Sequence, residues 1–398
     1  MRSGELHIGP SRTTHDGRLL EVEFASDSAA HRVFIRSDGP PLADTAEAFV
    51  ACALLPCMKA GRVLVADREV SGRLLAALPT LLDIYSTFFP SLHRVDIKNA
   101  TPAPRDHPTG QRVGVFFSCG VDSFYTLLKH REEITDLVFV HGFDIRLDDT
   151  ALCQRASEAV HAVAAYFGKR VIQVETNIRG FLDAHVPWAQ AHGAALASIG
   201  HLFSPPLRRV YIPASHTYAD LFPWGSHPML DPLWSSERLE YLHDGCEATR
   251  VAKIERVAEC QVALDTLRVC NESTGAYNCG HCEKCLRTMI NLSVVGALDR
   301  CRTFAEPLDV RRMRELEIDG YTRPYMLESL HALEARGGDA TLRDALRHVL
   351  DRPEWLVKTK RHLSNWTLRF PLAYRIGKWL HGVLVNRPRA SRERGNRP

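Results

Sequence analysis

Between residues 113 and 128 the chain passes from an apolar run (Val113, Val115, Phe116, Phe117) through Ser118-Cys119-Gly120-Val121-Asp122-Ser123 into a second run with Phe124, Tyr125, Leu127 and Leu128. A strand therefore turns into a helix through small and hydroxyl residues. Such a turn suits an anion, because its backbone N–H groups converge, the helix presents its positive end, and Ser118 and Ser123 flank the site. Asp122 would repel a bare phosphate, so its presence implies a magnesium ion between carboxylate and nucleotide. The spacing excludes the Gly-Lys-Ser/Thr ending of the Walker loop and the G-x-G-x-x-G of dinucleotide sites. The same six residues also suit a plain strand-to-helix turn with a Ser/Asp cap.

The hundred residues from Val113 onward set the expected fold. Strands at 113–117, 137–141, 170–175 and 209–213 alternate with helices at 124–130, 152–167 and 189–202. Alternation of this kind calls for a doubly wound, mostly parallel α/β sheet covered on both faces, with ligands at the carboxyl ends of its strands. Those ends supply Asp144, Thr176, Asn177 and the Ser215-His216-Thr217 run.

A second constellation is Cys270, Cys279, Cys282 and Cys285, spaced C-x8-C-x2-C-x2-C. Short spacings let two thiolates meet one ion, and four thiolates suit a closed, structural Zn2+ site. His281, inside the Cys-Gly-His-Cys turn, reads as a turn residue rather than a ligand.

The hexapeptide resembles the S-G-G-x-D-S signature of the PP-loop ATP pyrophosphatases, with Cys119 standing at the first glycine. Together with the cysteine cluster, it resembles the 7-cyano-7-deazaguanine synthases of the queuosine pathway and their relatives. Lys253 in the segment 249–255 resembles that family's T-K-x-x-I, and Arg287 matches its C-x-x-R. The resemblance covers about 112–300 and is weak from 179 to 244, where an acceptor would be recognised. It implies a HUP-like fold in which Ser118, Cys119, Gly120, Val121 and Ser123 hold the phosphates of ATP. Backbone at Val140, His141 and Gly142 would frame adenine, and Asp144 would stand nearby. Asp122 and Lys253 would act at the phosphates. The implied reaction adenylates a carboxylate or amide oxygen for attack by nitrogen, releasing AMP and pyrophosphate. Homodimers are implied too. Two alternatives stay open: sulfur transfer to RNA or a small molecule, and a non-catalytic nucleotide-binding scaffold.

The loop 218–237, rich in Pro, Gly and aromatic residues, reads as a substrate loop. His216 and His227 could exchange protons there, and Asp231 could add a carboxylate. No cysteine nucleophile of a glutaminase follows Met1, so nitrogen would come from free ammonia, the acceptor or a partner. The acceptor itself, small molecule or protein/peptide, is unspecified.

With 398 residues the chain exceeds one ordinary domain. Three parts are expected: an α/β unit at 1–108 ending in the Pro-rich 102–108, the ATP-binding part with its zinc subdomain at 109–300, and a helical extension at 301–398. Helices are expected at 310–318, 325–335 and 340–350. The net charge of +3 is unevenly placed: residues 358–398 hold eleven Lys or Arg against Glu393, leaving the remainder mildly acidic. A basic amphipathic stretch at 372–384 could lie on an anionic membrane surface, bind an acidic partner or pack on its own protein. The first 108 residues have balanced charge and give no nucleic-acid signal. No apolar stretch follows the N-terminus and none is long enough to span a membrane, so the expected compartment is the cytoplasm.

Overall fold

Leu20, Val22 and Phe24 alternate with polar neighbours and are all buried, as a half-buried strand requires. The structure, a computed structural model, describes residues 4–104, 110–272 and 275–352. The first part of the chain gives β1 (Glu5–Thr14), β2 (Leu19–Ser26), β3 (Ala29–Ser37), α1 (Ala46–Ala60), β4 (Val63–Val70), α2 (Gly72–Phe88) and β5 (Ile97–Pro102). Strand–helix alternation then sets in with β6 (Arg112–Phe116), α3 (Val121–Lys129), β7 (Asp136–His141), α4 (Thr150–Phe167) and β8 (Arg170–Thr176). It continues through α5 (Ile178–Asp183), α6 (Trp188–His201), β9 (Leu207–Pro213), β10 (Glu240–Asp244), α7 (Arg250–Ala258) and α8 (Gln261–Thr266). The described chain closes with α9 (Glu283–Val294), α10 (Val310–Glu315), α11 (Arg323–Ala335) and α12 (Ala340–Leu350).

All ten strands form one sheet, in the order β10-β9-β6-β7-β8-β3-β2-β1-β4-β5. The five strands from β6 to β10 are parallel, β3, β2 and β1 follow antiparallel, and β4 and β5 return to parallel. β3 joins β8 through Ile35 opposite Thr176 and Ser37 opposite Val174. Side chains reinforce that seam. The Thr176 hydroxyl donates to the Phe34 carbonyl at 2.6 Å, and Asn177 accepts from the Phe34 N–H at 2.8 Å. Thr176 and Asn177, expected near a ligand, therefore serve the sheet.

Helices cover both faces. One face packs α1, α2, α5 and α6 over residues such as Val138, Val174, Ile212 and Tyr241; the other packs α3, α4, α7 and α8 over Val115, Leu137, Phe139 and Tyr211. Residues from both sides of the 102–108 segment share the first of these cores, Phe49 and Leu54 lying in one cluster with Ala194 and Tyr241. A third cluster joins α9 to α10, α11 and α12 through Ile290, Met313, Leu330 and Leu346. No helix among the described residues is long and apolar enough to cross a membrane. The basic stretch at 372–384 and the arginines beyond it lie outside the described residues.

Candidate functional site

The 118–123 loop leaves β6 at its carboxyl end, alongside β7, where the Phe117 N–H donates to the Val138 carbonyl. Cys119 has φ of +58°, the left-handed region that a Cβ disfavours, so the backbone takes a glycine-like course at a cysteine. Its carbonyl accepts from the Arg268 N–H at 2.9 Å. Gly120 caps α3, its carbonyl accepting from the Phe124 N–H and the Ser123 hydroxyl. The first N–H groups of any helix lack intrahelical partners, and those of α3 begin at Val121.

Asp122 sits in that first turn, and both its oxygens are engaged. Lys253 donates to one at 3.0 Å and Arg250 to the other at 3.0 Å. Burial alone would push the Asp122 carboxyl up, but the two cations carry it down to about 2. α7 supplies both cations from one face, three residues apart, and its N-terminus is fixed by the Thr249 side chain. Lys253 is only 1% exposed and also donates to the Ala214 carbonyl at 2.6 Å. Gly245, beside the Lys253 ammonium, takes φ of +105°, a backbone conformation that favours glycine.

Arg287 of α9 joins this cluster, paired with Glu283 at 3.0 Å. The ring of Tyr325 from α11 lies against both arginines, 4.1 Å from the Arg287 guanidinium carbon and 5.5 Å from that of Arg250. Three buried cations thus face two carboxylates. Arg250 Nε and Arg287 Nη1 have no hydrogen-bond partner. An arrangement with surplus positive charge and unpaired donors is suited to an anion.

His216 follows β9 and meets this cluster through Tyr325, whose hydroxyl is 2.7 Å from Nδ1. Burial lowers its pKa to about 4, with Arg250, Arg287 and Lys253 adding to the fall and Asp122 opposing it. The ring lines a cavity of about 100 Å3 beyond the ends of β9 and β10, with His192, Trp224, Ser226, His227 and His243. The 218–237 loop forms much of its wall. Asp231 does not join Asp122: it is buried behind the cavity, 2.7 Å from His243 Nδ1 and 2.6 Å from the Ser226 hydroxyl. His227 is oriented by the Met229 N–H, which donates to its Nδ1.

Val140 and His141 finish β7, the strand beside β6, and Gly142 follows it. His141 Nε2 pairs with the Arg146 carbonyl at 2.9 Å, and Gly142 takes φ of +103° against the Thr176 carbonyl, where a Cβ would clash. Asp144 stands exposed just beyond.

The four cysteines converge. Cys270 and Cys282 sulfurs are 3.9 Å apart and those of Cys279 and Cys285 are 3.8 Å apart, with all four within 4.8 Å of one another. Tetrahedral zinc with bonds of about 2.3 Å needs sulfurs roughly 3.8 Å apart, so the group could hold zinc. The Cys282 N–H points at Cys279 Sγ and the Glu272 N–H at Cys270 Sγ, orienting both sulfurs. His281 bonds the Cys279 carbonyl and is a turn residue.

Cys119 is not an activated thiol. Burial pushes it up to about 12 despite Arg268, opposite to the lowering a helix end alone would give. Arg250 and Tyr325, which complete the cluster, were not among the sequence candidates. Arg250 was within reach, lying three residues before Lys253 on one helix face. Tyr325 had no local signal. Searches of protein families, curated proteins and solved structures return no match for this chain.

Proposed function

We propose that the chain is a PP-loop ligase of doubly wound, HUP-like fold that binds ATP, adenylates a carboxylate or amide oxygen of an acceptor and releases AMP and pyrophosphate. The observation that carries this reading is the cluster of Lys253, Arg250 and Arg287 about Asp122, at the helix end that follows the 118–123 loop. The strand order supports it, since β6 lies between β7 and β9 with helices on both faces, and ligands of such sheets gather where the order reverses. Backbone N–H groups at α3 and the three cations would share the charge of a triphosphate and of departing pyrophosphate. Asp122 would order Lys253 and Arg250 as the phosphates arrive. Each Asp122 oxygen already accepts from one of those cations, so a magnesium ion there would compete with Lys253 and Arg250 for the carboxylate and would supply charge neutralisation at the phosphates.

Acceptor oxygen attacks the α phosphorus, the bond to the bridging oxygen breaks, and pyrophosphate leaves. Nitrogen then attacks the acyl carbon, AMP departs with its electron pair, and the proton lost by nitrogen needs a base. His216 at the cavity wall is the imidazole placed to take it, a weak base kept unprotonated by its pKa of about 4. Sulfur transfer fits less well, because burial pushes Cys119 to about 12 and Cys153 to about 11, leaving neither a ready thiolate carrier.

The test is purified protein with ATP, magnesium and a panel of carboxylic acids. AMP and pyrophosphate should form in equal amounts, and Asp122→Ala should lower the rate by about 100-fold. Nucleotide binding without turnover across the panel would instead favour the scaffold.

A further inference from the structure

We propose that Tyr325, on α11, is a positioning residue for the nucleotide site, and that α11 is part of that site rather than an appendage. The inference rests on the nucleotide reading above.

The hydroxyl of Tyr325 lies 2.7 Å from the Ser215 carbonyl and 2.7 Å from His216 Nδ1. A phenol has one proton, and a carbonyl can only accept. With both contacts hydrogen-bonded, the Tyr325 proton goes to Ser215, whose carbonyl also accepts from Arg250 at 3.2 Å, and Nδ1 of His216 carries its own proton to donate to the phenol oxygen. That leaves Nε2 of His216 with the lone pair, so one hydroxyl fixes which imidazole nitrogen can take a proton. The ring performs a separate task. Lying 4.1 Å from the Arg287 guanidinium carbon and 5.5 Å from that of Arg250, it holds two like charges that each keep an unpaired N–H. Without the ring, Arg250 would keep its bond to Asp122 and Arg287 its pairing with Glu283, but the one contact shared by the two guanidinium groups would be lost. α11 is itself anchored, the Ser329 hydroxyl donating to Asn291 of α9 at 2.6 Å and Glu328 accepting from the N–H groups of Arg250 and Val251.

Two substitutions separate the tasks. Tyr325→Leu removes ring and hydroxyl; Tyr325→Phe keeps the ring. His331→Ala, on an exposed position of the same helix, controls for damage to α11. Binding of magnesium α,β-methylene-ATP by calorimetry is read beside thermal unfolding and the rate of AMP formation. Tyr325→Leu should bind about tenfold more weakly, Tyr325→Phe should bind within about threefold of the parent, and His331→Ala should match the parent. Tyr325→Phe should nonetheless lose kcat with its KM for ATP retained, because the ring stays while His216 loses its guide. Unaltered binding by a folded Tyr325→Leu, with the parent binding, would overturn the role of Tyr325 alone. Equal losses in Tyr325→Phe and Tyr325→Leu would overturn the division between ring and hydroxyl. Absence of binding by the parent itself would overturn the nucleotide reading, and this inference with it.

Discussion

His243 and His216 stand near the ends of neighbouring strands, yet their surroundings drive them in opposite directions. Burial alone would lower His243, but its hydrogen bond to Asp231 carries it up to about 9. The pair therefore stabilises the fold fully below about pH 6.5, and that contribution fades as pH rises through 9. His216, held neutral near 4, acts with the opposite sign, costing stability as pH falls from about 6.5 toward 4. Denaturant unfolding of the parent and of Asp231→Asn should differ by about 2 kcal/mol at pH 6 and converge by pH 9.5. A gap that does not change with pH would show that the pair is not ionised as drawn. Asp231 was legible as a candidate from its loop, whereas its partner was not, because twelve residues and the start of a strand separate them. Asp122 and Lys253 were legible because each sits in a short motif, and the structure brings them within 3.0 Å.

Among the elements, α9 does two things at once. Cys282 caps it, Cys285 lies in its first turn, and Arg287 follows on the next. The segment carrying Cys270 also carries Arg268, whose N–H holds the Cys119 carbonyl. A metal on the four thiolates would thus tie the 118–123 loop to the helix that carries Arg287. Chelation, or Cys282→Ser, should remove one equivalent of zinc by elemental analysis, destabilise the fold by at least about 3 kcal/mol and abolish AMP formation. Retention of both stability and turnover in metal-free protein would show the thiolates to be incidental. Spacing made this cluster readable, since metal ligation imposes short intervals that survive without any tertiary knowledge. Three strands were not readable in the same way. A bulge between Ile8 and Ser11 breaks the alternation of β1, β5 is largely exposed, and β10 has five residues of which Tyr241 alone is fully buried.

At the scale of the molecule, the Pro-rich stretch before the loop reads in sequence as a boundary between separate parts. Composition marks a linker well, but whether two units bury their apolar faces separately or against each other depends on edges that no local pattern reports. Here α1 packs on α6 and β3 pairs with β8. Residues 1–104 and 110–398 produced separately should therefore each lack a cooperative unfolding transition and regain one on mixing, as circular dichroism would record; independent cooperative folding of either piece would contradict the shared core. A five-stranded parallel sheet stopping at β8 would leave that strand's amides and carbonyls bare to any passing polypeptide. β3 fills that vacancy from within the same chain, and the outermost margin passes to β5, six residues long, carrying Lys98 and ending on Pro102. The first quarter of the chain thereby works as a guard against illicit strand exchange, presenting newcomers with a short, charged and proline-stopped border.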